Sequence, residues 1–414
     1  MSSSRIIIVG GGAAGFFAAI TCAEAAPGSE VIVLEKTAQF LSKVRISGGG
    51  RCNVTHACFD ARELTKRYPR GERALIAPFH RFQASDTVAW FESRGVKLKV
   101  ESDGRMFPTT DSSQTIIDCL MHHARAAGVK LLTNRGVERV AKSENSFELI
   151  LSNGETLACD RLLLAIGGCR TPALGQLAVS LGHTLEPPVP SLFTFHIESD
   201  WLRALPGVAV EAEVSVPNSK LRERAALLVT HWGLSGPAVL RLSAWGARGL
   251  HERDYTFALH VNWLPLLNAQ SLAAQLQSRR IAQPAKLVVN IPVFPLPARL
   301  WEALVLAAGV ARDTRWSALS RSAQHHLVQQ LLRTEFQVSG KSLNKDEFVT
   351  CGGVRLNEVD FKTMQSRLCP GLYFAGEVLD MDGITGGFNF QSAWTTGWIA
   401  GRAMAEKAVA IAKD

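Results

Sequence analysis

Two glycine-rich stretches near the start of the chain carry the residue types best suited to chemistry. Gly10-x-Gly12-x-x-Gly15 follows the β-branched run Ile6–Val9 and is answered by Glu35, twenty residues after Gly15, at the end of the next such run, Val31–Leu34. At this spacing the first glycine permits a tight turn, the second lets a diphosphate approach the backbone, and the third lets helix and strand pack closely. The N–H groups that open the helix, at Gly12, Ala13 and Ala14, offer partial positive charge to that diphosphate. Glu35 can accept hydrogen bonds from ribose hydroxyls, its charge repels a 2′-phosphate, and Lys36 stands beside it. A dinucleotide site is the expectation.

The second stretch, ISGGGRCNVTH at residues 46–56, follows Lys43 and joins Ser47, Gly48, Gly49 and Gly50 to Arg51, Cys52, Asn53 and His56. Consecutive glycines let the backbone pass within contact of a flat ring or a phosphate and turn its N–H groups on it. Arg51 suits a phosphate or a structural carboxylate, and Asn53, which donates and accepts, suits a ring edge. Cys52 would need a lowered pKa and a neighbouring thiol or base to act as a nucleophile; Cys58 is six residues away without CxxC spacing, so Cys52 reads as a packing residue. His56, His80 and His231 are proton donors in principle, and Arg105 of GRMFP could orient an anionic or carbonyl substrate. Arg51, Asn53, His56 and Arg105 are the catalytic candidates, and no general acid is assigned.

The elements that must position these residues follow from periodicity. RIIIVGGGAAGFFAAITCAEAAPGSEVIVLEK reads as a β-α-β unit; DTVAWFESRGV and QTIIDCLMHHARAAGV read as amphipathic helices closed by glycine; KLLTNRGVERVAK, with Val137, FELILSNGETLACD and RLLLAIGG read as strands. The alternation implies an α/β layer. At the proline cluster 187–190 the character changes to β-like runs over roughly 191–265, then to helices over about 270–335, before EFVTCGGVRL returns to strand and a last helix is expected from Ser392. The expected division is residues 1–190 and 350–414 as a cofactor-binding domain, 191–265 and 336–349 as a β-barrel-like domain, and 266–335 as a helical insert.

The far end of the chain distinguishes FAD from NAD. GLYFAGEVLDMDGITGGFNFQSAWTTGWIAG (371–401) resembles the FAD-binding ending of two-dinucleotide-domain flavoproteins, with Gly376-Glu377 after a short strand and Gly386-Gly387 before a helix. The resemblance implies that Glu377 serves the ribityl or phosphate region, and that Phe388, Asn389, Phe390 and Gln391 face the flavin pyrimidine, where a helix N-terminus stabilises negative charge on the reduced ring. RLLLAIGGC (161–169) resembles the strand-plus-glycine element of the same proteins near adenine, through Ala165, Gly167 and Gly168. With ISGGGRCNVTH, GRMFP, HWGLSGPAVLRLS and GEVLDMDGITGGFNFQSAWTTG in order along the chain, the sequence resembles the HI0933-like family of bacterial flavoproteins over essentially its whole length, with His56 a departure where Asn is usual. The resemblance implies a glutathione-reductase-type, Rossmann-like FAD-binding domain interrupted by a β-barrel-like domain and a helical insert. It places Lys43, Arg45, Ser47 and the glycine run along the flavin. Family members resemble reductases of conjugated double bonds in oxidised bile acids, or aminoacetone oxidases.

The composition sets limits. The 414 residues are 47% hydrophobic and 20% charged, enough for a core and two or three domains. The net charge of +8 suits an anionic partner, but Arg and Lys read as spread along the chain, and the helical stretch with Arg279-Arg280 reads as a solvated face. The eight Cys form no CxxC and no metal-like spacing, and no secretory leader precedes the first strand, so reduced thiols in a cytoplasmic protein are expected, with no metal and no membrane span. No second GxGxxG-plus-acid unit appears, which argues against a dedicated nicotinamide domain. The expected activity is that of an oxidoreductase with non-covalent FAD, exchanging hydride between flavin N5 and a small or medium organic substrate beneath the insertion. Reduction of an activated C=C bond, with NAD(P)H as transient donor, is favoured; amine oxidation by O₂ is the alternative. RNA binding or modification by a basic flavoprotein ranks below both, for want of a basic strip with interleaved aromatics.

Overall fold

The computed structural model describes residues 4–169, 172–342 and 349–411, which divide into two compact units, one built from both ends of the chain and one from residues 190–348. In the first unit five parallel strands form the centre of a sheet: β1 (Arg5–Val9), β2 (Glu30–Leu34), β3 (Lys130–Leu132), β4 (Arg161–Leu164) and β5 (Leu372–Phe374), in the order β3-β2-β1-β4-β5. Two short antiparallel strands, Gln365–Ser366 and Val359–Asp360, extend the β5 edge. Ile7 sits in register between Ile32 and Leu162, and Leu164 pairs with Phe374, so the C-terminal segment adds its strand to a sheet begun by the N-terminal one. Burial on both faces explains why these strands read as unbroken β-branched and leucine runs.

The helix α1 (Ala13–Ala25) packs along the C-terminal helix α2 (Phe388–Ile411). A Cβ at Gly397 or Gly401, one helical turn apart on α2, would lie 2.5 Å from the carbonyl of Ala14 or Ala18 respectively, so these glycines set the close approach of the two helices. α2 begins at Phe388, four residues earlier than the expected Ser392, because Gly386 and Gly387 hold φ of +131° and +93° and the chain turns directly into the helix. A small sheet of Thr55–His56, Leu98–Val100 and Arg105–Pro108 carries the second glycine stretch, and an antiparallel sheet of Val137–Lys142, Phe147–Leu151 and Thr156–Cys159 precedes β4.

The second unit holds a closed six-stranded barrel, ordered Phe195–Ile197, Gly233–Ser235, Arg222–Thr230, Ala209–Ser215, Thr256–Asn262 and Thr334–Lys341. Alternation along Arg222–Thr230 buries Ala225, Leu227 and Val229. Helices Ala269–Ala282, Ala298–Ala307 and Arg321–Leu332 do not have a core of their own: Leu272, Trp301 and Leu331 join Leu259 and Trp263 of the barrel side in one apolar cluster. Of the stretch 336–349 expected to complete the barrel, residues 343–348 lie outside the described residues. Among the described residues, no helix is long and apolar enough to cross a membrane.

Candidate functional site

The turn from β1 into α1 is shaped by what its glycines exclude. Gly10 has φ of +112°, and a Cβ there would fall on the Ala165 carbonyl at the end of β4; a Cβ at Gly15 would fall on the Gly10 carbonyl. Gly12 differs: nothing lies within 4 Å of where its Cβ would be, and it caps α1 in extended conformation without a side-chain cap. The first intrahelical bond is Phe16 N–H to Gly12 C=O, so the N–H groups of Ala13, Ala14 and Gly15 precede the ladder and face that open space with the helix dipole behind them. Glu35 is oriented by the N–H of Gly11 (3.0 Å) and by both the N–H and the hydroxyl of Thr37 (2.9 Å each). The strand that opens at Val137 is brought alongside by the N–H groups of Asn134 and Arg135, which donate to Thr37 and Glu35 carbonyls, with Gly136 against Cβ of exposed Lys36.

The opposite side of the site joins residues more than 300 positions apart. Lys43 Nζ pairs with Glu377 Oε2 at 2.5 Å, while Glu377 Oε1 accepts from the Thr350 N–H at 2.8 Å. Gly376, at φ +75°, donates its N–H to the Thr396 hydroxyl (2.9 Å), which fastens the turn before Glu377 to α2. Gly168, beyond β4, is forced by the same cluster: a Cβ there would overlap the Thr350 side chain and lie 2.9 Å from Glu377 Oε1. Gly167, at φ +76°, has open space beside it. Thr350 is buried, yet its hydroxyl, packed beside Gly168 and Glu377, has no hydrogen-bond partner, an orphan that a polar ligand group would satisfy. The sequence reading missed Thr350, whose strand carried only a buried-β signal.

The second glycine stretch is a helix turn that unwinds. Residues from Ser42 are helical, Ser47 is extended, and Gly48, Gly49 and Gly50 follow at φ of +57°, +69° and +85°. Three left-handed residues in series require glycine, and the last two are exposed with nothing within 4 Å of a Cβ. Ser47 anchors the turn through its hydroxyl to the Val44 carbonyl (2.9 Å), and its own carbonyl accepts from Cys52 N–H (3.0 Å). Asn53 then links the two ends of the chain: its Oδ1 accepts from Gly387 N–H (2.9 Å) and its Nδ2 donates to the Thr55 carbonyl (3.0 Å). The start of α2 is thereby held against the glycine stretch.

Around that helix start several side chains are already committed. The Asn389 amide closes the preceding loop on Gly383 by two 2.8 Å bonds, and fully buried Gln391 is satisfied by the hydroxyls of Thr55, Thr87 and Thr395. Phe390 stacks on Trp394, and Phe388 stacks on His56 at 4.8 Å. What the helix start can offer a ligand is backbone: the N–H groups of Phe388, Asn389 and Phe390 precede the first intrahelical bond, Gln391 N–H to Gly387 C=O.

The charged candidates form a network of their own. Arg51 binds Glu101 Oε1 at 2.6 Å and lies 4.0 Å over the Phe107 ring; Arg105 binds Asp103 at 2.7 Å and Glu101 Oε2 at 3.1 Å. Both arginines are thus neutralised, and of the two partners the sequence left open for Arg51 the structure supplies the carboxylate. His56 Nε2 donates to the Asp103 carbonyl at 3.1 Å, with the imidazole ring packed under Gly104. Cys52 is wholly buried, and burial pushes its thiol up to about 12, which removes it as a nucleophile. His80 and His231 are exposed, the latter in the other unit. Among the described residues no His, Cys, Asp and Glu group could hold a metal ion.

Known proteins supply the remaining context. A family model described as the HI0933-like protein Rossmann domain matches residues 4–403. A ribosomal RNA dihydrouridine synthase of Escherichia coli (strain K12) is 33% identical over 393 residues, covering 93% of this chain and 94% of its own. A 3-dehydro-bile acid delta(4,6)-reductase of Clostridium scindens is 30% identical over 402 residues, covering 95% and 97%. Among solved structures, a 3-ketosteroid delta1-dehydrogenase from Sterolibacterium denitrificans aligns over 98% of this chain and all of its own, with TM-score 0.53 and 14% identity, a likeness of fold. The chain belongs to the HI0933-like family of Rossmann-type flavoproteins and is an FAD-dependent oxidoreductase.

Proposed function

We propose that the protein reduces a carbon–carbon double bond conjugated with a carbonyl, with NAD(P)H as the source of electrons. The observation that carries this reading is the pair of relatives at 30% identity or more. One is named for a delta(4,6)-reduction and the other for dihydrouridine, which is uridine saturated at its ring double bond. Bound FAD, once reduced by NAD(P)H, would supply the hydride. The chain's part is to bind, orient and stabilise charge. Gly10, Gly12 and Gly15, with the N–H groups of Ala13 and Ala14, would take the diphosphate; Glu35 the adenosine ribose; and Lys36, Val137, Ala165, Gly167 and Gly168 the adenine end. Glu377, Lys43 and the Thr350 hydroxyl would take the middle of the cofactor. The backbone of Gly48–Gly50 and the start of α2, fixed by Asn53, would take the ring system and lower the cost of negative charge there. Arg51, Arg105 and His56 act as positioning residues, since each is engaged by the 101–111 segment or its backbone.

A uracil ring in RNA is the substrate reading that the relatives and the charge favour. Two rRNA-named relatives, at 33% and 28% identity over 93% of this chain, and a net charge of +8 raise RNA above the rank the sequence alone assigned it. The test is anaerobic. The yellow protein should bleach with NADPH or NADH and recolour with unmodified ribosomal RNA, leaving dihydrouridine detectable by mass, or with a small enone if the substrate is not RNA. Bleaching by a primary amine with peroxide release in air would establish the oxidase instead.

A further inference from the structure

The net charge of the chain is not evenly distributed. Residues 263–333 contain eight Lys and Arg against two Asp and Glu, six of the eight net positive charges in the chain. The helices Ala269–Ala282 and Arg321–Leu332 of this stretch contain no acidic residue, and between them lies a groove of about 1360 Å³ whose lining has none either. Arg280, Arg321 and Arg333 line it, and none has a carboxylate partner among the described residues. Outside this stretch several arginines do have one: Arg355 pairs with Glu186, Arg135 with Glu155 and Arg105 with Glu101 and Asp103.

Three further features fit a polyanion. Arg321 begins its helix, and the N-cap Ser320 also lines the groove, so the positive end of the helix dipole adds to the guanidinium charge. Gln277 and Gln324 place neutral amides that donate and accept beside the cations, the groups that meet base and sugar edges. Ala273 and Ala274 contribute small side chains to the lining, which leave the neighbouring cations open to an extended strand. The volume exceeds what one small ligand fills.

We infer that this groove, which contains none of the residues assigned to FAD, docks the phosphate backbone of an RNA strand. The occupant rests on the RNA reading above; the uncompensated charge does not. An acidic membrane surface is flat and fits a concave groove between two helices poorly.

The test uses the FAD-loaded full chain and a fluorescein-labelled RNA hairpin with loop uridines, with binding followed by anisotropy over about 50–300 mM salt. Replacing Arg280, Arg321 and Arg333 by Gln should weaken binding at least about tenfold at 100 mM salt and reduce the slope of log K on log salt by two to three, about one for each lost phosphate contact. FAD content, melting temperature and the rate of bleaching by NADPH should match wild type, because the exchanged side chains are surface groups. A second variant, Gln277→Glu with Gln324→Glu, should weaken binding by placing negative charge in the same groove. Wild-type RNA binding with unchanged affinity and salt slope in both variants overturns the groove while leaving the RNA reading standing. A wild-type chain that does not bind RNA at 50 mM salt overturns both. Equal wild-type affinity for phosphatidylglycerol vesicles, lost in the same variants, overturns RNA as the occupant.

Discussion

Gly12 and Gly15 stand three positions apart in one turn, and the physics asks opposite things of them. Gly15 is glycine for the sake of the fold, since a Cβ would fall on the Gly10 carbonyl; Gly12 has open space in front of it and is glycine for the sake of what occupies that space. Gly15→Ala should therefore destabilise the apoprotein by about 1–3 kcal/mol through overpacking. Gly12→Val should leave the apoprotein melting within a few degrees of wild type while FAD affinity falls at least tenfold, as it should in Glu35→Ala. Calorimetry of the stripped protein with FAD titration separates the two effects, and a Gly12→Val protein that binds FAD normally would remove the diphosphate from this turn. The same scale shows where sequence reading stops. Arg51 read as the partner of a phosphate or of a structural carboxylate, and Arg105 as a group that orients substrate, but Glu101 and Asp103, which neutralise them, lie 50 positions from Arg51 or within the adjacent turn, and no residue type in ISGGGRCNVTH announces either.

Elements of the cofactor-binding unit are fastened to one another by buried polar groups as well as by the sheet. His183 has a fully buried side chain, places Nδ1 2.9 Å from Glu358 and Nε2 2.8 Å from the Ser366 hydroxyl, and so ties the end of the helix Pro172–Val179 to the edge strands of the sheet. Burial holds the imidazole below its usual range, partly opposed by Glu358. The sign of the linkage follows. Unfolded, His183 titrates near 6.5; folded, it titrates lower; in between, the unfolded chain binds the extra proton. The contribution is complete above about pH 6.5 and lost as the pH falls through the folded value. Urea midpoints measured at pH 7.5 and 5 should drop more in wild type than in His183→Gln, and equal drops would assign the acid sensitivity elsewhere.

On the scale of the molecule, the FAD-binding unit is assembled from the two ends of the chain, with β4 beside β5, α1 against α2 and Asn53 on Gly387. A ligand that contacts both segments stabilises the folded state by mass action, so removing FAD should lower the melting temperature and make it depend on added FAD concentration. A melting temperature indifferent to FAD would mean that the cofactor does not bridge the segments. Charge also belongs to this scale. A net +8 looked diffuse when counted along the chain, and its concentration in 263–333 becomes meaningful once the fold brings Arg280, Arg321 and Arg333 to one groove.

By itself the sequence determined the α/β class, the β-α-β start with its glycine turn and acidic partner, and the family, because these depend on short-range periodicity and on motifs whose residues are close in the chain. Tertiary structure decided the rest. The left-handed run Gly48–Gly50, the bond from Gly387 to Asn53, the pairing of Lys43 with Glu377, and the Thr350 hydroxyl beside Gly168 join residues from segments hundreds of positions apart or depend on backbone angles. The physical reason is that a hydrogen bond or ion pair between distant residues imposes no period on either segment, so the partner of a functional side chain becomes visible only when folding brings the two together.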